Sequence, residues 1–224
     1  MSDSNGGNAA NNPDNNSETD YGIGNKQDET SDESDGRLIS SSPVLEEELP
    51  DDLQQSLGRI LNEEPVETLD DWTTRIRRLT SGESIQIDDL CHSGEQTGHW
   101  GEMGDETYHF LCFYDAIILS ALADQPVDIR TESPNGTVIR AHAMGTTDLS
   151  VNPDTAVFSF GIDDTVEPPT DDGPSARDIY AAVCPYVRAF PDPEAYKMWA
   201  RDVSASTVAM PLTDATDIAS SLIE

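Results

Sequence analysis

A thiol and a carboxylate lie three residues apart in residues 108–123, YHFLCFYDAIILSALA. From Cys112 onward this run has no Pro or Gly and is rich in Ala, Leu and Ile, which favours a buried helix. Positions three apart share a helix face, so the side chains of Cys112 and Asp115 are predicted to point the same way. Asp115 then either stabilises the helix N-terminus or handles protons beside a soft nucleophile, because an unpaired buried charge is costly.

Cys184 is the second thiol that could take part in such chemistry. Two converging thiolates, from Cys112 and Cys184, would bind a soft, thiophilic metal that prefers linear coordination rather than a hard cation. A cysteine at a helix N-terminus has a favoured thiolate, which is predicted for Cys112 and not for Cys184 at the other end of a helix. On its own, Cys184 is better explained as a small buried hydrophobic residue.

A structural zinc site is a competing interpretation of the same region. Five side chains with zinc-binding atoms fall within 22 residues of sequence, namely Cys91, His92, His99, His109 and Cys112. Sulfur and imidazole suit zinc. However, no Cys-x2-Cys or His-x3-His pair is present, so the spacing matches no familiar zinc pattern.

The composition is strongly acidic. The 224 residues carry 44 acidic and 12 basic side chains, for a formal net charge of -32, and only Lys26 and Lys197 are lysines. The acidity is spread along the chain, as expected for a halophilic protein of an acidic proteome, because salt screens the self-repulsion. It also argues against nucleic acid as a partner, which would require a basic face.

The three cysteines and the N-terminus indicate the compartment. Cys91, Cys112 and Cys184 cannot all pair within one chain, so no disulfide framework is predicted. The N-terminus has no basic and apolar signal segment, and no run approaches the ~18 apolar residues of a membrane helix. We therefore expect free thiols in a reducing cytoplasm and no membrane association.

The elements that must position these side chains follow from the hydrophobic pattern. Residues 1–43 are predicted to be a disordered acidic tail, residues 44–82 an N-terminal helical segment, and residues 83–224 the main domain. In that domain we predict a short strand that runs into a turn over 84–92 and a glycine-rich loop or hairpin over 94–106. Further strands are predicted over 127–131, 138–143, 149–151, 156–161, 186–190 and 207–210, and helices over 112–123, 176–183, 193–201 and 213–223. These predict an α+β fold with an antiparallel β-sheet core flanked by helices.

Three segments carry a family resemblance. Residues 108–122, YHFLCFYDAIILSAL, resemble the active-site segment of the alkylmercury lyases (organomercurial lyases), in which Cys-x-x-Asp opens a helix before an apolar run. Residues 125–139, QPVDIRTESPNGTVI, resemble that family's next hairpin. Residues 176–190, ARDIYAAVCPYVRAF, are similar to the segment that carries its second catalytic cysteine. The resemblance covers roughly residues 84–224, and the segment 91–99 has no obvious counterpart in the family.

The resemblance implies an activity and its residues. Cys112 and Cys184 would be the two catalytic, mercury-binding thiols, and Asp115 the carboxylate that relays a proton from a thiol to carbon. The reaction would be protonolysis of a carbon–mercury bond to hydrocarbon and Hg(II), in mercury detoxification and resistance. No cofactor is implied beyond low-molecular-weight thiols that accept the product, and a mercuric reductase would be the downstream partner. Cys91 lies in the segment without a family counterpart and is either an accessory thiol near the site or a surface residue.

The departures leave one alternative of a different class. The N-terminal helical segment is shorter than that of the family, and Pro185 directly follows Cys184. The same fold could then carry a non-catalytic module that binds copper, zinc or Hg(II) through Cys112 and Cys184.

Overall fold

Two antiparallel sheets with helices around them form the protein. The structure is a computed structural model that describes residues 37–40, 43–79, 84–123, 125–167 and 173–223. Within these ranges the helices are α1 Asp51–Leu61, α2 Leu69–Leu79, α3 Tyr114–Leu122, α4 Ala176–Val183, α5 Pro193–Ala200 and α6 Ala215–Ile223. The strands are β1 Trp100–Met103, β2 Glu106–His109, β3 Val127–Glu132, β4 Val138–Met144, β5 Asp148–Asn152, β6 Val157–Asp163, β7 Ala189–Phe190 and β8 Ala205–Pro211. The predicted α+β class is confirmed, with two sheets in place of one.

The larger sheet has the strand order β2-β1-β3-β4-β5, and its strand pairs are antiparallel. The predicted hairpin β3–β4 is present, and its turn places Gly136 at φ 85°, a conformation that glycine adopts without strain. Along β3, Val127, Ile129 and Thr131 are buried and alternate with more exposed residues. This alternation gives the sheet one face toward the core, against which α3 packs.

The smaller sheet has the order β7-β6-β8, with β6 in the centre. A side chain at Gly161 would meet the backbone oxygen of Ser206 at 2.6 Å, so β6 and β8 approach closely only because this residue lacks a Cβ. Strand β6 is buried from Val157 to Ile162 and brings Phe158 and Phe160 into the core. The position of β6 matters because these two rings also form part of the cavity described below.

The two predicted N-terminal helices are present and join the same hydrophobic core as the rest of the described chain. Helix α1 ends at Asn62, which is left-handed at φ 55° and whose backbone N–H bonds to the carbonyl of Arg59 at 3.1 Å. Helix α1 packs against β6 and β8, and α2 packs against α6. Buried Trp72 and Ile76 carry the apolar face of α2 toward the cavity.

One prediction about local structure is wrong, and another is confirmed only in part. The strand expected over residues 84–92 is instead irregular, with a 3-10 turn at Ile87–Asp89 closed by reciprocal hydrogen bonds between Gln86 and Asp89. The strand expected over 186–190 shrinks to Ala189–Phe190, because the 3-10 turn Cys184–Tyr186 follows α4 directly.

The predicted disordered tail needs a correction in its last residues. Leu38 forms a parallel bridge with Ala209 of β8, and the backbone N–H of Ile39 donates to the Ala209 carbonyl at 2.8 Å. Arg37 forms an ion pair with Asp52 at 2.6 Å. The prediction is therefore wrong for residues 37–40, while residues 1–36 and 41–42 lie outside the described ranges.

In the part of the chain that the structure describes, none of the helices is long and apolar enough to span a membrane.

Candidate active site

A largely apolar cavity of about 500 Å³ lies between the helices and the smaller sheet. Its apolar wall comes from α2, α3, α4, α6 and β6, and includes Trp72, Ile76, Ile118, Phe158, Phe160, Ile179, Ile218 and Leu222. All three cysteines of the chain and Asp115 also line it. The cavity thus combines room for an apolar group with a cluster of thiols and one carboxylate.

Cys112 and Asp115 lie together, as the sequence predicts. The Cys112 sulfur is 3.3 Å from Oδ2 of Asp115, and both residues are buried, with 4% and 7% exposure. The helix begins later than expected, at Tyr114, so Cys112 precedes α3 while Asp115 occupies its first turn. The Tyr114 hydroxyl donates to the carbonyl of Ala215 at 2.8 Å and so joins the start of α3 to the start of α6.

The Asp115 carboxylate has a second partner that the sequence did not reveal. The backbone N–H of Cys91 donates to Oδ1 of Asp115 at 3.1 Å. Burial raises the pKa of Asp115, while the hydrogen bonds from Cys91 and Cys112 act in the opposite direction. A carboxyl group in this setting is better able to accept a proton than an exposed aspartate.

The end of α4 brings Cys184 to this cluster. Helix α4 starts at the predicted cap, Ser175. Ser175 Oγ accepts a hydrogen bond from the backbone N–H of Asp178 at 3.3 Å, and the Asp178 carboxylate accepts one from the backbone N–H of Ser175 at 3.0 Å. The helix ends at Cys184, directly before Pro185. The thiols of Cys112 and Cys184 lie within hydrogen-bonding reach of each other, and all three cysteines are free.

The two thiols differ in their readiness to ionise. Contact with the Cys112 thiol lowers the pKa of Cys184, although burial and the charge of Asp115 oppose this. The same contact, burial and Asp115 raise the pKa of Cys112 well above its ordinary value, despite help from the Tyr114 backbone N–H at the helix start. The helix start alone therefore does not decide which thiolate is favoured, because Cys112 is also buried beside Asp115 and in contact with Cys184.

The histidines do not form the alternative zinc site. His99 Nδ1 bonds to the Thr131 hydroxyl at 2.7 Å, and His92 Nε2 bonds to the Ile87 carbonyl at 2.7 Å. His109 Nδ1 accepts from the backbone N–H of Thr97 at 3.3 Å. Within the described ranges, no three or more His, Cys, Asp or Glu side chains are grouped so that they could hold a metal ion. Two thiols are nevertheless sufficient for a soft ion that takes few ligands.

The chain matches the model of one protein family. The model of the family MerB, alkylmercury lyase, matches residues 92–224, which is more than half of the chain. The chain belongs to the alkylmercury lyase family. The match includes Cys112, Asp115 and Cys184, whereas Cys91 and the helices α1 and α2 lie N-terminal to it.

Solved structures are similar as well. One match is "Crystal structure of the mercury-bound form of MerB2", with 14% sequence identity and a TM-score of 0.44. The alignment covers 78% of this chain and 91% of that chain. No curated protein matches this member of the alkylmercury lyase family.

Proposed function

We propose that this protein is an organomercurial lyase, which cleaves a carbon–mercury bond by protonolysis to give a hydrocarbon and Hg(II). One observation carries the proposal: Cys112, Asp115 and Cys184 meet at an apolar cavity in a chain of the alkylmercury lyase family. The thiols match the preference of mercury for sulfur, and the carboxylate is placed to handle a proton.

Substrate binding would begin at Cys184. Contact with Cys112 favours its thiolate, which displaces the ligand X of a substrate R–Hg–X and forms a sulfur–mercury bond. The organic group R then lies against the apolar side chains of the cavity, such as Ile118 and Phe158. Burial of R removes apolar surface from water and so contributes to binding.

Cleavage would use the proton of Cys112. The Cys112 thiol gives this proton to Asp115, 3.3 Å away, and the resulting thiolate forms a second sulfur–mercury bond. Electron density on mercury increases, and the carbon–mercury bond pair becomes more available to a proton. The protonated Asp115 transfers its proton to carbon as the carbon–mercury bond breaks, so R–H leaves and Asp115 returns to the carboxylate form.

The product Hg(II) would remain between the sulfurs of Cys112 and Cys184. Low-molecular-weight thiols would remove it, and the reaction requires no further cofactor. We propose a cytoplasmic location, where thiols stay reduced and a mercuric reductase could take up the product.

Headspace gas chromatography tests the proposal. The wild-type protein is incubated with methylmercury or phenylmercury in molar salt with excess thiol, beside Cys112→Ala and the more conservative Cys112→Ser. We expect methane or benzene from the wild type and none above background from either variant, with circular dichroism verifying that all three are folded. A folded wild type that binds mercury but releases no hydrocarbon would contradict the lyase and favour the non-catalytic metal-binding module.

A further inference from the structure

The third cysteine has no part in the cleavage steps, yet it lies at the same site. Cys91 lines the cavity together with Cys112 and Cys184. Its backbone N–H holds Asp115 at 3.1 Å, and its thiol is close enough to Asp115 and Cys184 for their charges to act on it. Cys91 therefore shares the cavity with the two other thiols, and its backbone contacts their carboxylate.

Solvent access distinguishes the three sulfurs. Cys112 is buried, at 4% exposure, whereas Cys91 and Cys184 are only partly buried. Leu111, whose backbone N–H donates to the Cys91 carbonyl at 3.0 Å, is 65% exposed, so Cys91 lies next to the protein surface. External thiols attack the mercury ion itself. An ion bound to Cys112 and Cys184 has one buried sulfur ligand, whereas an ion bound to Cys91 and Cys184 has two partly exposed ligands and is easier to reach.

We propose that Cys91 is the exit thiol of the site: it takes Hg(II) from Cys112 and presents it, still bound to Cys184, to an external thiol. The proposal rests on the proposed function, which makes Hg(II) the product at this site. In the transfer step a bond forms between the Cys91 sulfur and mercury, and the bond between mercury and Cys112 breaks. Mercury stays Hg(II) with two sulfur ligands, so the step requires no oxidant or reductant.

Asp115 balances the protons of this step. Mercury binds the thiolate, so Cys91 must lose its proton when it takes up the ion. The Asp115 carboxylate accepts this proton and passes it to the sulfur of Cys112, 3.3 Å from Oδ2. The Cys112 thiol is thereby restored with its hydrogen bond, ready for the next substrate.

Transfer of preloaded mercury tests the proposal directly. Wild type, Cys91→Ala and Cys91→Ser receive one equivalent of Hg(II), excess glutathione is added, and the mercury leaving the protein is followed in the filtrate by mass spectrometry. We expect release from both variants to be slower by about tenfold or more, because an adjacent thiol attacks far more often than a free one. Ser93→Ala, two residues away, is the matched control and should release mercury at the wild-type rate.

Hydrocarbon release measured in a single turnover separates the departure of Hg(II) from the cleavage of the carbon–mercury bond. Both Cys91 variants keep the backbone N–H that holds Asp115, so release of benzene from phenylmercury should fall by less than the rate of mercury transfer does. Equal rates of mercury transfer in wild type and Cys91→Ala would overturn the proposal. So would a proportional loss of hydrocarbon release, which would place Cys91 in the cleavage step.

Binding of Hg(II) provides a second, independent readout. Cys112→Ala should still bind Hg(II) through Cys91 and Cys184. Adding Cys91→Ala to it should weaken binding by at least about tenfold, because even the loss of a residue that supports a metal ligand costs about 10- to 100-fold in affinity. Equal affinity of the single and double variants would overturn the proposal. The transfer and binding assays both start from Hg(II) and do not depend on cleavage. A wild type that releases no hydrocarbon would therefore refute the proposed lyase activity, while the two assays would still test the role of Cys91.

Discussion

The backbone N–H of Cys91 donates to Oδ1 of Asp115 at 3.1 Å, across 24 residues of sequence. The other carboxylate oxygen, Oδ2, faces the thiol of Cys112. The two contacts fix the plane of the carboxyl group, and its proton-accepting oxygen is the one beside sulfur. A carboxylate held in this way can relay a proton without first reorienting.

Replacing Asp115 by Asn tests this role. Asn keeps the size of the side chain and an oxygen that can accept from Cys91, but it cannot take up and return a proton. We expect hydrocarbon release to fall by about 100- to 10,000-fold, the range for loss of a general acid, while Hg(II) binding is retained. Headspace chromatography and mercury titration measure the two quantities on the same samples.

Asp89→Asn is the matched control for this variant, since Asp89 also lines the cavity but is exposed and bonds to the backbone N–H of Gln86. It should cleave at the wild-type rate. If Asp115→Asn were as active as Asp89→Asn, the proton would have to reach carbon by another route.

Local signals in the sequence predicted much of the fold because they act within a few residues. Ser175 caps α4, Pro185 follows its end, and the turn at Gly136 joins β3 to β4, all as predicted. The spacing of Cys112 and Asp115 predicted their contact for the same reason. Such features depend on backbone propensity and hydrogen bonds between near neighbours.

Contacts between distant segments could not be predicted in this way. The bond from Cys91 to Asp115 depends on the path of an irregular segment, and the pairing of Ile39 with β8 depends on an edge that only the assembled sheet provides. The start of α3 alone does not predict how readily each thiol ionises. In the structure, burial and the contact with Cys184 outweigh that local effect at Cys112.

The thiols should react with iodoacetamide in a defined order as the pH rises. Iodoacetamide attacks the thiolate, so a lowered pKa gives more reaction at any pH below the ordinary thiol value. Cys184, with its lowered pKa, should be labelled at lower pH than an ordinary thiol, and Cys91 only as the pH approaches about 11. Peptide mapping by mass spectrometry measures each site separately.

The variant Cys112→Ala provides the control for this order. It removes the thiol whose contact lowers the pKa of Cys184, so the labelling profile of Cys184 should move to higher pH. Labelling of Cys91 before Cys184 in the wild type would contradict the assignment of the favoured thiolate.

Removing the cap of α4 should reduce stability. Ser175→Ala deletes the oxygen that accepts from the backbone N–H of Asp178, and loss of such a cap costs about 1 kcal/mol of unfolding free energy. Urea unfolding in molar salt measures this difference. Ser204→Ala, at an exposed bend, is the control and should change the free energy of unfolding by less than about 0.5 kcal/mol. If both variants changed it equally, the cap at Ser175 would contribute no specific stability.

The net charge of -32 predicts that the protein requires salt for full stability. Repulsion among acidic side chains destabilises the compact state, and the Debye length falls from about 10 Å at 0.1 M to about 3 Å at 1 M salt. We expect the melting temperature to rise with KCl over this range, by roughly 2–4 °C for each kcal/mol of stability gained. The double variant Glu102→Gln/Asp148→Asn, which neutralises two exposed acids, should show a smaller rise. A melting temperature that does not change with KCl would contradict the interpretation of the acidity as an adaptation to salt.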